Sequence, residues 1–481
     1  GGRHLGEIVS GYFGVSNAEV HPTLSSTLSI SKAVLSKEAL FGSGPNTFGH
    51  DWLIYKPAEI NATPFWGVEF PFGAGFIPTQ ISTTGVIGSI IWLAFFILLI
   101  WLAVRILCSI PDNRMMRFAL VTSLVTSLFL WAAGFLYSPS SPVLIITFVF
   151  TGLMLALAYS AGILAAYRAT FSALPARPMA RSVVALLVCG VLFLGWQEGK
   201  KALGAFHFKR AVDLSSVVGT SLDAISRELE QAVEFAPLDT YYIAISRLNF
   251  SKAVTIASSA TGTPEENRIF FEQALGTSIE AAKSAVSANP AGYVNWVVLG
   301  QIYSSLVPEP LKIEGAYESA QFVYNEALKR NPSNPDLFLL LSQLEINKGN
   351  LEAARSYLRS ALALKEDYAD TYVLLARLEV SANNIPAAIL SAEKLSALSP
   401  ENAGIHFEVG LLKYSALNYR GALLSFEKAL TISPDYANAK YYLALSLAKL
   451  GRKDEAREHL VELSITNPGN AELKTALDSL K

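Results

Sequence analysis

Cysteine is almost missing from this chain of 481 residues: only Cys108 and Cys189 occur, both within or at the end of apolar runs. A disulfide framework and a Cys-based metal site are therefore excluded. Charge is scarce as well, at 16% of residues, where an ordinary soluble chain carries about 25%. A formal net charge of −2 leaves no basic surface for nucleic acid. The six histidines stand apart, at 4, 21, 50, 207, 406 and 459, with no H-E-x-x-H and no paired ligand spacing, so neither a metal nor a cofactor is expected. The shortage of charge is uneven. Residues 1–198 hold 10 Lys/Arg and 8 Asp/Glu, and residues 199–481 hold 28 and 32. The first part has a lipid-like composition and the second that of a soluble protein, which excludes a single globular enzyme and a disordered chain. The opening Gly1-Gly2-Arg3, without Met, is expected of a processed N-terminus or of a piece of a longer chain.

What the first part has instead is apolar runs. Residues 85–104, 118–137 and 143–167 carry no Asp, Glu, Lys or Arg, and 182–197 form a shorter fourth run ending beside Trp196 and Lys200. A helix needs roughly 20 apolar residues to cross the hydrocarbon core, so four spans are expected; a buried soluble helix is the alternative for the fourth. Arg105, Arg114 and Arg117 mark the first connection, Arg168, Arg177 and Arg181 the third, and none marks Ser138–Pro142. Positive charge stays on the cytoplasmic side, which places residues 1–84 and 199–481 outside the cytoplasmic membrane. Lys200, Lys201, Lys209 and Arg210 after the fourth run pull the other way. No ionisable group lies in the middle of a run, so an ion-coupled transporter is disfavoured.

The second part repeats itself. Pro332, Pro400, Pro434 and Pro468 fall on one 34-residue lattice, with Glu366 at the vacant point. Ala320, Ala354, Ala388, Ala422 and Ala456 fall on another, followed at the next contact by Tyr324, Leu358, Ala392, Phe426 and Leu460. After Pro290 the chain reads Trp296-Val-Val-Leu299-Gly300-Gln-Ile-Tyr303, the W-x2-L-G-x2-Y signature. This resembles the tetratricopeptide repeat family. The Trp296 unit is eight residues longer than its neighbours, and the surplus is placed around Val307–Pro310, in the turn between its helices. Leu214–Pro237 and Leu238–Pro290 read as degenerate helical pairs, and Ala471–Leu480 as a capping helix. The resemblance implies a concave surface lined by first-helix residues, here Gln343, Arg377, Tyr414 and Tyr441, that takes a protein partner. For the two tyrosines, packing between units is the alternative.

The remaining distinctive stretch is Leu40-Phe41-Gly42-Ser43-Gly44-Pro45-Asn46-Thr47-Phe48, followed by Trp52, Tyr55, Pro57, Asn61, Phe65 and Trp66 and by Thr84–Gly88. With no Lys-Ser/Thr pair after it, this is not a P-loop. The block resembles the O-antigen ligase and polymerase superfamily, membrane enzymes that handle glycans on polyprenyl diphosphate lipids. That resemblance implies that amides near Gly42 and Gly44, together with Lys56, meet a diphosphate. The family's H-N pair is replaced here by Ala74-Gly75, and the family has more spans than four. His50, beside Asp51, is the one nearby imidazole, either a substitute base or a solvated loop residue.

The expected fold class is therefore all-α: a polytopic helical membrane domain of about four spans followed by a tetratricopeptide-repeat α-solenoid. Its domains are 1–84 (outer loop), 85–198 (spans), 199–290 (degenerate pairs) and 291–481 (repeats with cap). The expected function is a membrane-anchored array for protein–protein interaction, with the lipid bilayer as surroundings. The alternative is glycosyl transfer or polymerisation using polyprenyl-diphosphate-linked glycan.

Overall fold

A computed structural model describes residues 21–164, 176–258 and 263–480. Gly1–Arg3, His4, the last residues of the third run and Arg168 lie outside the described residues. Among those described, regular structure is entirely helical. The chain forms two compact units, one built mainly of residues up to Asn295 and the other mainly from Trp296 onward.

The first unit opens with α1 (Leu24–Leu35), capped by the Thr23 hydroxyl on Ser26 N–H at 3.1 Å, and α2 (Phe48–Tyr55). Ile30, Val34, Phe48, Trp52 and Leu53 form their shared core. The Trp52 indole is oriented by a 3.0 Å hydrogen bond to the Val68 carbonyl. Three apolar helices follow: α3 (Phe76–Cys108), α4 (Arg114–Leu136) and α5 (Ser141–Ser160). They meet through Leu99, Ile106, Leu120, Leu124, Trp131 and Met154. Between α4 and α5 the Thr151 hydroxyl donates to the Thr147 carbonyl and receives the Trp131 indole N–H at 3.0 Å, with Ser127 at 2.8 Å. Small polar residues let the two backbones approach, and the Ser127, Trp131 and Thr151 polar groups pair with one another, as an apolar surrounding requires.

The outward faces of these helices stay apolar. At most 33% of the most apolar stretch of α3, α4 or α5 is buried, and none of that of α6 (Ala176–Ser215). A core helix of a soluble domain would be enclosed on most sides. All four helices are long and apolar enough to cross a membrane; among the described residues nothing buries the apolar stretch of the fourth.

Helix α6 runs well past the apolar run because no proline interrupts it before Ser215. The stretch Leu214–Pro237 consequently holds one helix, α7 (Leu222–Phe235), instead of the expected pair. The end of α6 serves as its partner, through Phe208, Ala211 and Leu214 against Ile225 and Leu229. Helices α8 (Asp239–Ser258) and α9 (Pro264–Ala288) form the next pair.

The second unit stacks five helical pairs: α10 (Tyr293–Ser305) with α11 (Ala316–Arg330), α12 (Pro335–Lys348) with α13 (Leu351–Leu364), α14 (Ala369–Ser381) with α15 (Ile385–Leu398), α16 (Ala403–Ser415) with α17 (Tyr419–Ile432), and α18 (Ala437–Lys449) with α19 (Lys453–Thr466). Helix α20 (Ala471–Asp478) covers the end, burying Leu473 and Ala476. The lattice alanines 320, 354, 388, 422 and 456 are all fully buried. Residues 306–315 join α10 to α11 where 349–350 suffice between α12 and α13, so the surplus lies wholly in that turn.

Two periodic devices fix the stack. The first is size matching inside a pair. A Cβ on Gly300 would lie 2.4 Å from the Tyr324 ring, and one on Gly410 the same distance from the Phe426 ring. Where the second helix offers Leu358, Ala392 or Leu460, the first carries Ser342, Ala376 or Ala444 at the glycine's lattice point. The second is the turn. Gly349, Asn383, Leu417 and Gly451, one lattice step apart, all have positive φ. The N–H of the next residue reaches back to Glu345, Glu379, Lys413 and Leu447 carbonyls at 2.8–3.0 Å, which closes the exposed helix end.

These devices predict two stability effects, read by thermal unfolding. Gly410→Ala is expected to cost about 1–3 kcal/mol by overpacking, with most of the loss recovered in Gly410→Ala/Phe426→Leu. Leu417→Gly is expected to stabilise by about 1 kcal/mol, since a left-handed leucine is strained and this side chain, 71% exposed, contributes little packing.

Candidate functional site

The glycine-rich turn of the outer loop is built onto a break in α3. Gly85 has φ 66° inside that helix, so Val86 and Ile87 lose the Ser82 and Thr83 carbonyls they would otherwise bond. The turn supplies what the break removes. Val86 and Ile87 N–H donate to Ala39 and Leu40 carbonyls at 2.9 and 3.1 Å, while Ser43 and Gly44 N–H donate to Ser82 and Thr83 carbonyls, both at 3.0 Å. Contact is so close that a Cβ on Gly42 (φ 66°) would lie 2.0 Å from Ser82 O, and one on Gly85 2.4 Å from Gly42 N.

This geometry reassigns the sequence-predicted site residues. Gly42 N–H donates to the Glu38 carbonyl at 3.0 Å. With Ser43 and Gly44 also engaged, none of the three amides faces outward for a phosphate. Lys56 is buried, 6% exposed, and its ammonium donates to the Trp66 carbonyl at 2.5 Å. Burial pushes its pKa down to about 8. His50 is half-buried, with an unpartnered buried Nδ1, and burial followed by the charge of Arg330 lowers its pKa. Asp51 does not pair with it. The carboxylate accepts the Ser43 hydroxyl at 2.5 Å, and Ser43 meets Thr47 at 2.7 Å. At the position of the H-N pair, Ala74 N–H donates to the Thr27 hydroxyl, and a Cβ on Gly75 would lie 2.4 Å from the Phe135 carbonyl.

The Ser43–Thr47–Asp51 cluster was not singled out by sequence reasoning, although its four-residue spacing is visible. Burial raises the Asp51 pKa to about 6, with Glu38 adding to the rise and the Ser43 hydrogen bond opposing it.

On the repeat array, Gln343 and Arg377 are exposed and one lattice step apart. Gln343 donates to Asn347 at 3.0 Å. Tyr414 and Tyr441 lie a helical turn off that register, whose own points are Leu411 and Leu445. Both tyrosines pack on the core of the last repeats, with Tyr414 5.2 Å from Tyr419 and Tyr441 5.4 Å from Tyr442 between ring centres. The predicted surface is polar toward α12 and α14 and aromatic toward α16 and α18. Sequence reasoning also missed two buried carboxylates in register, Glu345 and Glu379. Glu379 is bound by Arg355 (2.5 and 3.1 Å) and Asn384 (2.9 Å); Glu345 is bound by Tyr317 and Asn350, both at 2.8 Å. Among the described residues no three His, Cys, Asp or Glu side chains gather into a metal site.

A family model described as tetratricopeptide repeat matches residues 311–363 and 415–480. The repeats are tetratricopeptide repeats. The lattice continues between the two matched stretches through α14 and α15. Among solved structures, MamA protein is 22% identical, covering 36% of this chain and 94% of its own, with a TM-score of 0.29. YrrB, a TPR protein described as having an unusual peptide-binding site, is 18% identical, covering 44% and 96%, with a TM-score of 0.30. A tetratricopeptide repeat protein from Parabacteroides merdae is 16% identical, covering 58% and 99%, with a TM-score of 0.34. No curated protein matches the chain.

The Asp51 cluster yields a pH prediction. The folded carboxyl binds its proton more tightly than the unfolded one, so its contribution favours folding at low pH and is lost as pH rises from about 4 to about 6. Asp51→Asn is expected to stabilise the protein above pH 6 by roughly 1 kcal/mol after allowance for residual solvation. Near pH 4 it should change little; melting curves of both forms at the two pH values check this.

Proposed function

We propose that this chain is a membrane-anchored interaction scaffold that presents its tetratricopeptide array to a protein partner outside the cytoplasmic membrane. The carrying observation is the array itself: five stacked pairs, with Gln343 and Arg377 exposed in register along the first helices. Arg377 forms no ion pair among the described residues, so its charge is available for recognition. Anchoring is supported by four helices of sufficient length and apolarity. The extracytoplasmic placement is supported by Arg105, Arg114 and Arg117 in the first connection, against none in Ser138–Pro142.

The glycan-transfer alternative draws on the outer-loop resemblance. The groups it would use are otherwise engaged: the amides at 42–44 in the helix break and Lys56 on a carbonyl.

The test is affinity capture from native membranes with the full chain, comparing wild type with Gln343→Ala/Arg377→Glu. The expected result is a partner retained by wild type and reduced about tenfold or more in the variant. Capture of the same proteins by both forms would overturn the reading.

A further inference from the structure

The eight surplus residues of the α10–α11 turn lengthen neither helix, and the turn is ordered upon itself. Ile313 N–H donates to the Leu306 carbonyl at 2.9 Å and Lys312 N–H to the Pro308 carbonyl at 3.1 Å. Folded in this way it forms, with the end of α12, a half-open cleft of about 830 Å³, within the size range that binds ligands. Its apolar lining includes Val307, Pro308 and Ile313, with the half-buried Tyr317 ring among them.

The electrostatics of this cleft are unbalanced. Lys312 is paired with Glu309 at 2.9 Å, whereas Glu314 and Glu318 line the cleft, exposed and with no ion pair among the described residues. Behind the Tyr317 ring lies the buried Glu345, which accepts the Tyr317 hydroxyl. One repeat later the matching carboxylate, Glu379, is neutralised by Arg355. The lattice equivalent of that arginine is Gln321, which donates its amide to the Tyr317 hydroxyl. Glu345 is thus met by neutral donors, the Tyr317 hydroxyl and the Asn350 amide, with no ion pair among the described residues. The ring face already receives one ammonium, with Lys348 Nζ 4.8 Å from its centre, as expected of an aromatic face in a negative field.

We propose that this cleft is a second recognition site, separate from the first-helix surface, that takes an arginine or lysine side chain flanked by apolar residues on a protein partner. The apolar lining receives the stem and neighbours of the basic side chain, and its charged end meets Glu314, Glu318 and the Tyr317 face. Lys348 competes with it for the ring.

The experiment titrates the full chain in detergent with a capped pentapeptide bearing a central arginine between valines, and with its central-glutamate counterpart, by calorimetry. The expected result is saturable binding of the arginine peptide alone, weakened about tenfold by Glu314→Gln/Glu318→Gln and tightened by Lys348→Ala. Arg377→Glu should leave it unchanged, which separates this site from the first-helix surface. Equal binding of the glutamate peptide, no saturable binding of the arginine peptide, or indifference to the paired glutamine substitutions would overturn the proposal.

Discussion

Backbone groups that cannot reach water must find partners in the chain, and the organisation of the first unit follows from that requirement. Opening α3 at Gly85 exposes two N–H groups and two carbonyls at the start of an apolar stretch. The turn at 39–44 answers all four with its own backbone. From that pairing follow the glycine at 42, where any side chain would strike Ser82, and the docking of α1 and α2 against the helix. Asp51 is drawn in because Ser43, held by the pairing, places its hydroxyl against the carboxylate.

How much of this was legible depends on whether the cause is local. The repeats were, because a 34-residue period writes the same contact many times, and the buried lattice alanines are where the spacing puts them. The position of the surplus residues was also legible, since Pro308 and Pro310, one residue apart, mark a turn. The pairing of 39–44 with 82–87 was not. It joins segments some forty residues apart through main-chain atoms, which no side-chain pattern encodes, so a glycine-rich turn read as an anion cradle is in fact fully engaged. Leu417 in a left-handed turn was equally hidden, because the residue type argues against the conformation its lattice position imposes. The burial of Glu345 and Glu379 is equally unmarked in the sequence, because the partners that hold them, Tyr317 and Arg355, come from other helices.

Those carboxylates also show how one repeat varies on another. At the lattice point where the first repeat has Tyr303, the next ones have Glu345, Glu379, Lys413 and Leu447. Glu379 is matched by Arg355 and Lys413 by Glu393 at 2.7 Å, while Glu345 is met by the neutral donors of Tyr317 and Asn350. A buried charge is tolerated only when its partner is built alongside it, so the interfaces are individually specified and the pairs cannot be exchanged freely along the stack.

The pair α14–α15 has a mechanical consequence. Its second helix buries only Ala388, Ser391 and Ala392, whereas α17 buries Leu423 and Phe426 as well as its alanines. In a solenoid each pair is held by itself and its neighbours alone. A pair whose second helix lacks a large buried side chain therefore marks where cooperativity is weakest, and amide exchange should open there before it opens on either side. The array then behaves as two stiff segments joined at a compliant point, able to adjust its curvature without any loop acting as a hinge.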